Sequence, residues 1–101
     1  MSVIKINKGN FQNEVINSES TVLLDFYADW CGPCRMVSPI VDEIAEKRVD
    51  IKVGKINVDE ESELASKFGI YSIPALVVMK DGKVENQAVG ARPKAQILAM
   101  L

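Results

Sequence analysis

The sequence predicts an α/β domain in which one mixed β-sheet lies between helices, with elements in the order βαβαβαββα. Three observations carry that prediction. The segment TVLLDFYA, residues 21–28, is aliphatic, β-branched and aromatic with almost no polar alternation, the pattern of a central strand covered on both faces. From Cys34 onward, apolar residues recur with a helical period. Near the end, ALVVM and KVENQAV flank Asp81-Gly82, a strong signal for a tight hairpin.

Taken in order, VIKI from Val3 to Ile6 reads as a short strand, and FQNEVI after Gly9-Asn10 reads as a short helix with Asn10 at its N-cap. In the strand TVLLDFYA only Asp25 interrupts the apolar run. The main helix places Met36, Val37, Ile40, Val41, Ile44 and Ala45 on one stripe, with Asp42, Glu43, Glu46 and Lys47 opposite. Pro33 suits its first turn, where a missing N–H is harmless, whereas Pro39 lies inside the pattern and should remove a backbone hydrogen bond and kink the helix. IKVGKINVD, residues 51–59, alternates as a strand; Asp59 is placed to cap a short helix carrying Leu64, Ala65 and Phe68, and Gly69 to close it. Pro93 opens a last helix whose Ile97, Leu98 and Leu101 form the apolar stripe. Helix-connected strands in the first half favour parallel pairing with right-handed crossovers, and the hairpin adds two antiparallel strands.

A chain of 101 residues, 48% apolar and 26% charged, is expected to form a single domain over residues 1–101 with a real core. No internal repeat, low-complexity segment or linker divides it. The net charge of −2 offers no basic field to hold nucleic acid or an anionic membrane. No apolar run approaches the ~20 residues that span a bilayer. The start, MSVIKINKGN, lacks the charged segment followed by an apolar one that marks a secretory signal. The expectation is a cytoplasmic monomer with no nucleic-acid or membrane partner. In that compartment thiols are kept reduced, so the two cysteines are expected to do chemistry rather than to staple the fold. The absence of histidine removes Cys-His activation and any imidazole metal ligand.

Both cysteines fall in ADWCGPCRM, residues 28–36, two residues apart at the junction of strand and helix. That position puts Cys31 at the helix N-terminus, where unpaired N–H groups and the dipole favour a thiolate. Cys34 lies one turn on, close enough to attack a disulfide formed on Cys31, and is expected to be the more buried of the two. Two other readings stay open. A zinc or iron–sulfur site needs further Cys or His donors and would have to bridge two chains. A structural disulfide would close a very small loop and constrain the unfolded chain little. The spacing favours a redox pair with no cofactor, and the chain carries no nucleotide-binding fingerprint.

Asp25 is a lone carboxylate in a covered strand, so desolvation should raise its pKa unless it reaches solvent at the strand end. Lys55 shares a strand face with Ile51 and Val53, an odd place for a cation unless it snorkels outward. Pro74 has no feature of its own that separates a cis from a trans peptide. Trp30 and Ile73 read as core packing, and Gly90 as a turn.

DFYADWCGPCRM, with the later Ile73-Pro74 and Val89-Gly90-Ala91, resembles the thioredoxin family, and the order of elements matches that fold over nearly the whole chain. The resemblance implies a central five-stranded mixed sheet flanked by four helices and an activity of dithiol–disulfide exchange with protein substrates. It makes Cys31 the nucleophile that forms a mixed disulfide with the substrate, and Cys34 the resolving thiol, leaving a Cys31–Cys34 disulfide. Gly32-Pro33 is the dipeptide associated with reducing members, where related oxidases and isomerases usually carry a histidine. By the same resemblance Asp25 is the buried acid that accepts the Cys34 proton through water, and Lys55 is its partner. Pro74 is then the cis-proline facing the cysteines, and the Ile73 backbone pairs with an extended substrate. Trp30, Gly32, Ile73, Gly90 and Ala91 form an apolar platform around Cys31. The implied partners are disulfide-containing proteins and a flavin- and NADPH-dependent thioredoxin reductase. Two positions depart from common members: Ala75 stands where threonine is frequent and Tyr27 where many relatives have tryptophan; Arg35, where lysine is common too, keeps positive charge near the thiolate. A second reading is a binding module of this fold whose thiol state controls docking; it predicts that Cys34→Ser leaves the biological role intact.

Overall fold

Residues 3–101 are described by the computed structural model; Met1 and Ser2, the first two residues of the expected domain, lie outside them. The elements are β1 (Ile4–Lys5), a π-helical turn (Gln12–Ile16), β2 (Val22–Tyr27), α1 (Gly32–Lys47), β3 (Lys52–Asn57), α2 (Ser62–Lys67), β4 (Ala75–Lys80), β5 (Lys83–Val89) and α3 (Lys94–Leu98). They form one five-stranded sheet in the order β1-β3-β2-β4-β5. β1 and β2 both run parallel to β3, while β4 is antiparallel to β2 and to β5. The mixed sheet and the order of elements are those the sequence predicts.

β2 lies at the centre because its side chains are apolar on both faces. Residues Val22 to Phe26 are each at most 1% exposed. Val22, Leu24 and Phe26 pack in one layer with Phe11, Val15, Leu64, Ala65 and Ile70, from the π-turn and α2 side. Leu23 packs in the other with Val37, Val41 and Ile44 of α1 and Ile97 of α3. Burying an aliphatic side chain of this size stabilises by about 1.5–3 kcal/mol. Strand alternation gives Asp25 the α1 side, so this central strand carries a carboxylate into the layer packed against α1.

The hairpin between β4 and β5 closes on Asp81 (φ 51°) and Gly82 (φ 75°), with Lys80 paired to Lys83. Two left-handed central residues make the type I′ geometry whose twist matches that of the strands. Along β5 the register slips: Val78 faces Asn86 but Met79 faces Val84, so Glu85 bulges out of the ladder.

Several local expectations are corrected. Asn10 does not cap the first helical segment. Its side chain accepts from the Asn7 N–H (2.8 Å) and donates to the Lys5 carbonyl (2.9 Å). The segment itself is π-type, with the Asn17 N–H reaching back to the Gln12 carbonyl. By contrast α1 starts where expected, at Gly32 with Cys31 as its N-cap and Pro33 in the first turn, and it runs through Pro39 to Lys47. Met36, assigned to the apolar stripe by its spacing, is 69% exposed at the stripe's edge. Asp59 does not cap α2, which starts at Ser62 with no side-chain cap, because its carboxylate has a more distant partner described below. Gly69 does end that helix, with φ 68°.

Candidate active site

The turn between β2 and α1 places Cys31 at the N-cap of α1, with extended backbone (φ −87°, ψ 109°). The Cys34 N–H donates to Cys31 Sγ at 3.2 Å, so the sulfur does for this helix what a serine oxygen does at other N-caps. Pro33 follows in the first turn, where it sacrifices no hydrogen bond. Gly32 and Pro33 are both exposed. Cys31 and Cys34 are joined as a disulfide, with Cα atoms 5.3 Å apart. Each is 4% exposed, so whole-residue burial does not make Cys34 the more buried of the pair.

Ala28 and the two cysteines form a small cluster against which Tyr27, Val58 and Ile73 pack. The Ile73–Pro74 peptide is cis, and the Pro74 carbonyl accepts from the Gly90 N–H at 2.8 Å. This ties the loop holding Gly90 to the loop that faces the cysteines. Ala91 lines an apolar groove with Arg92, Pro93 and, from α1, Met36, Val37 and Ile40. Trp30 is 69% exposed rather than buried in the core. Its indole N–H donates to Asp59 Oδ2 at 2.8 Å. The Asp59 loop is in turn held by Asn57, whose Oδ1 accepts from the N–H groups of Asp59 (2.9 Å) and Glu60 (3.3 Å).

On β2, the strand that leads into the cysteine turn, Asp25 is 1% exposed, and neither carboxylate oxygen has a hydrogen-bond partner. Burial pushes its pKa up to about 6; the positive charge of Lys55 lowers it and the negative charge of Asp42 adds to the rise. Lys55 is the residue paired with Asp25 across β2 and β3. Its ammonium makes no contact with the carboxylate: it hydrogen-bonds to Ser38 Oγ on α1 and lies 4.9 Å from the centre of the Tyr27 ring. Tyr27, Ser38 and Lys55 line a cleft that reaches Cys34, together with Ala28, Asp29 and Arg35. The Arg35 guanidinium donates to the Asp29 carbonyl at 3.0 Å.

Three residues of this neighbourhood escape the sequence reading as site residues. Ser38 lies four positions after Cys34, a polar residue beside the buried stripe of a helix, and that spacing was available as a signal. Val58 and Asp59 come to the cysteines through the end of β3, which local patterning does not reveal. Among the described residues no group of three or more His, Cys, Asp and Glu side chains gathers where it would hold a metal ion.

The thioredoxin family model matches residues 2–101. The chain is 49% identical over 102 aligned positions to a thioredoxin of Pyropia yezoensis, covering 100% of this chain and 95% of that one. It is 50% identical to thioredoxin 1 of Synechococcus elongatus, over 91% of this chain and 87% of the relative. A thioredoxin of Haemophilus influenzae is 45% identical over 94% of this chain and 90% of its own length. Identity at this level along nearly the whole of both sequences, over a mixed sheet that delivers a cysteine pair to a helix N-terminus, leaves one conclusion: the chain belongs to the thioredoxin family.

Proposed function

We propose that this chain is a general protein-disulfide reductase in which Cys31 attacks the substrate, Cys34 resolves the intermediate and Asp25 takes the Cys34 proton. Membership of the family makes it a dithiol–disulfide oxidoreductase working through the Cys31–Cys34 pair, with disulfide-containing substrates and a reductase-type electron donor. The observation that carries the division of labour is the Cys34 N–H on Cys31 Sγ. An N–H donor and a helix N-terminus favour negative charge on that sulfur, and among the described residues no such donor is seen on Cys34 Sγ.

In the reduced protein the Cys31 thiolate attacks one sulfur of the substrate disulfide. One S–S bond forms, one breaks, and the departing thiolate takes a proton from solvent. Cys34 then loses its proton to the Asp25 carboxylate through water and attacks Cys31 Sγ. The second substrate thiolate leaves and the Cys31–Cys34 disulfide remains, so two electrons have passed to the substrate. A carboxyl with its pKa near 6 is mostly ionised at neutral pH yet basic enough to accept that proton, a balance an ordinary surface aspartate lacks. Lys55 tunes Asp25 through its charge rather than by direct pairing.

Trp30, Gly32, Ile73, Gly90 and Ala91 supply an apolar platform, and the Ile73 backbone beside cis-Pro74 pairs with an extended substrate segment. Gly32-Pro33 without histidine favours a reductant. We further propose a single thioredoxin domain over residues 1–101, acting as a cytoplasmic monomer recycled by thioredoxin reductase without a cofactor of its own, nucleic acid or membrane. Among the described residues no helix is long and apolar enough to cross a membrane. The test is to supply NADPH, thioredoxin reductase and a disulfide-bonded protein and to follow NADPH loss. Catalysed oxidation that needs Cys31 is expected; none with several compatible reductases overturns the reading in favour of a docking module.

A further inference from the structure

Asp25 and Lys55 are direct neighbours across the parallel β2–β3 pair, at a strand spacing of about 4.8 Å. Side chains so placed on one face ordinarily close into an ion pair. Here they do not, because the Lys55 ammonium is taken up by Ser38 Oγ, one helical turn beyond Cys34. The two Asp25 oxygens are, among the described residues, the buried side-chain polar atoms left with no hydrogen bond.

We propose that Ser38 is a positioning residue for the thiol–disulfide reaction: its hydroxyl holds the Lys55 ammonium against α1, off the Asp25 carboxyl and at the cleft beside Cys34. The inference rests on the reading of Asp25 as proton acceptor for its functional meaning, but its geometric content stands apart from that reading. Without the hydroxyl, a half-buried ammonium loses its acceptor while a bare carboxylate waits on the neighbouring strand. The ammonium then moves onto Asp25. An opposite charge in contact favours the ionised carboxyl and makes it a weaker proton acceptor.

The other groups acting on Asp25 do not substitute for this arrangement. α1 presents the negative charge of Asp42, β4 presents Leu76, and Cys34 is bound in the disulfide. Tyr27 and Arg35 line the cleft, with the tyrosine ring under the Lys55 ammonium and the arginine held on the Asp29 carbonyl.

The test follows the Asp25 carboxyl by 13C NMR against pH in the oxidised protein, and the pH profile of reductase-coupled turnover. In Ser38→Ala the Asp25 midpoint is expected to fall by about one pH unit, and the acid limb of turnover to move the same way. Ser38→Thr, which keeps the hydroxyl, should restore both. Combined with Lys55→Met, Ser38→Ala should move the midpoint no further, since the effect runs through the ammonium. An Asp25 midpoint that stays or rises in Ser38→Ala, or that shifts equally in the Lys55→Met background, overturns the inference. A midpoint that falls while the turnover profile stays fixed upholds the positioning by Ser38 and overturns the proton-acceptor role of Asp25.

Discussion

Replacing Asp25 by alanine should make this protein more stable at neutral pH and a poorer catalyst. The carboxyl has its pKa pushed up to about 6 in the fold against an ordinary 3.8. Between those values the folded chain holds a proton that the unfolded chain has released, so stability falls as pH rises through the window and stays low above it. A difference of about two units corresponds to about 3 kcal/mol at pH 7.5. Deleting the carboxyl from a closely packed site sets about 1 kcal/mol against this. Asp25→Ala should therefore gain about 2 kcal/mol at pH 7.5, roughly 10 °C in Tm for a domain of this size. By pH 4 the gain should vanish and the packing loss should show. Urea unfolding of both oxidised proteins from pH 4 to 8 measures it. Surface carboxylates held low by pairing, such as Glu43 with Lys94 and Glu63 with Lys8, impose the opposite slope on both proteins and cancel in the difference. A variant no more stable than the parent at pH 7.5, or a difference that does not change with pH, refutes the argument.

Cys34→Ser should lower turnover by roughly 100-fold or more and leave Cys31 bound to substrate, because the intermediate loses its resolving thiol; mass spectrometry of the trapped adduct checks it, and unaltered turnover contradicts it. Asp59→Ala frees the Trp30 indole, at a loss of about 0.5–1.5 kcal/mol of anchoring. Since Trp30 is the single tryptophan, its fluorescence should change together with a several-fold fall in kcat/KM, and a change in neither would mean the anchor is idle. In Gly54→Ala the new Cβ would stand 2.6 Å from Ile6 Cγ1 and 3.2 Å from Leu24 Cδ2. Overpacking of this kind costs about 1–3 kcal/mol, so a lower urea midpoint with unchanged kcat is expected.

The parts of the fold legible in the sequence are those encoded by near neighbours in the chain. The unbroken apolar run of β2, the helical stripe of α1 and the Asp81-Gly82 turn each announce an element without reference to the rest. Hydrogen-bond partners of short polar side chains are not encoded that way. Asn10 and Asp59 both carry the oxygen that a helix N-terminus needs, and both give it elsewhere: Asn10 to the Asn7 N–H and Asp59 to the Trp30 indole. Strand pairing is equally distant information. That Asp25 faces Lys55, and that β4 returns antiparallel to β2 after a helical connection, are properties of the assembled sheet. For the site, the cysteines and their helix were readable from spacing alone, whereas the fate of the Lys55 ammonium depends on Ser38 coming to it from another element.

The two outer strands bear on how such a protein survives its work. An extended segment of another chain carries N–H and C=O groups ready to add to an open sheet edge. Among the described residues β1 offers two positions for such an attachment, one of them Lys5. β5 is longer, but it is broken by the bulge at Glu85 and studded with Lys83 and Glu85 in a stretch almost wholly exposed. Features of this kind discourage a second chain from zipping along an edge. In the proposed mode of binding, backbone pairing is thereby confined to the Ile73 loop, where a docked chain brings its disulfide to Cys31. Elsewhere on the sheet the same chain finds no seat, and the carrier stays free of its own clientele.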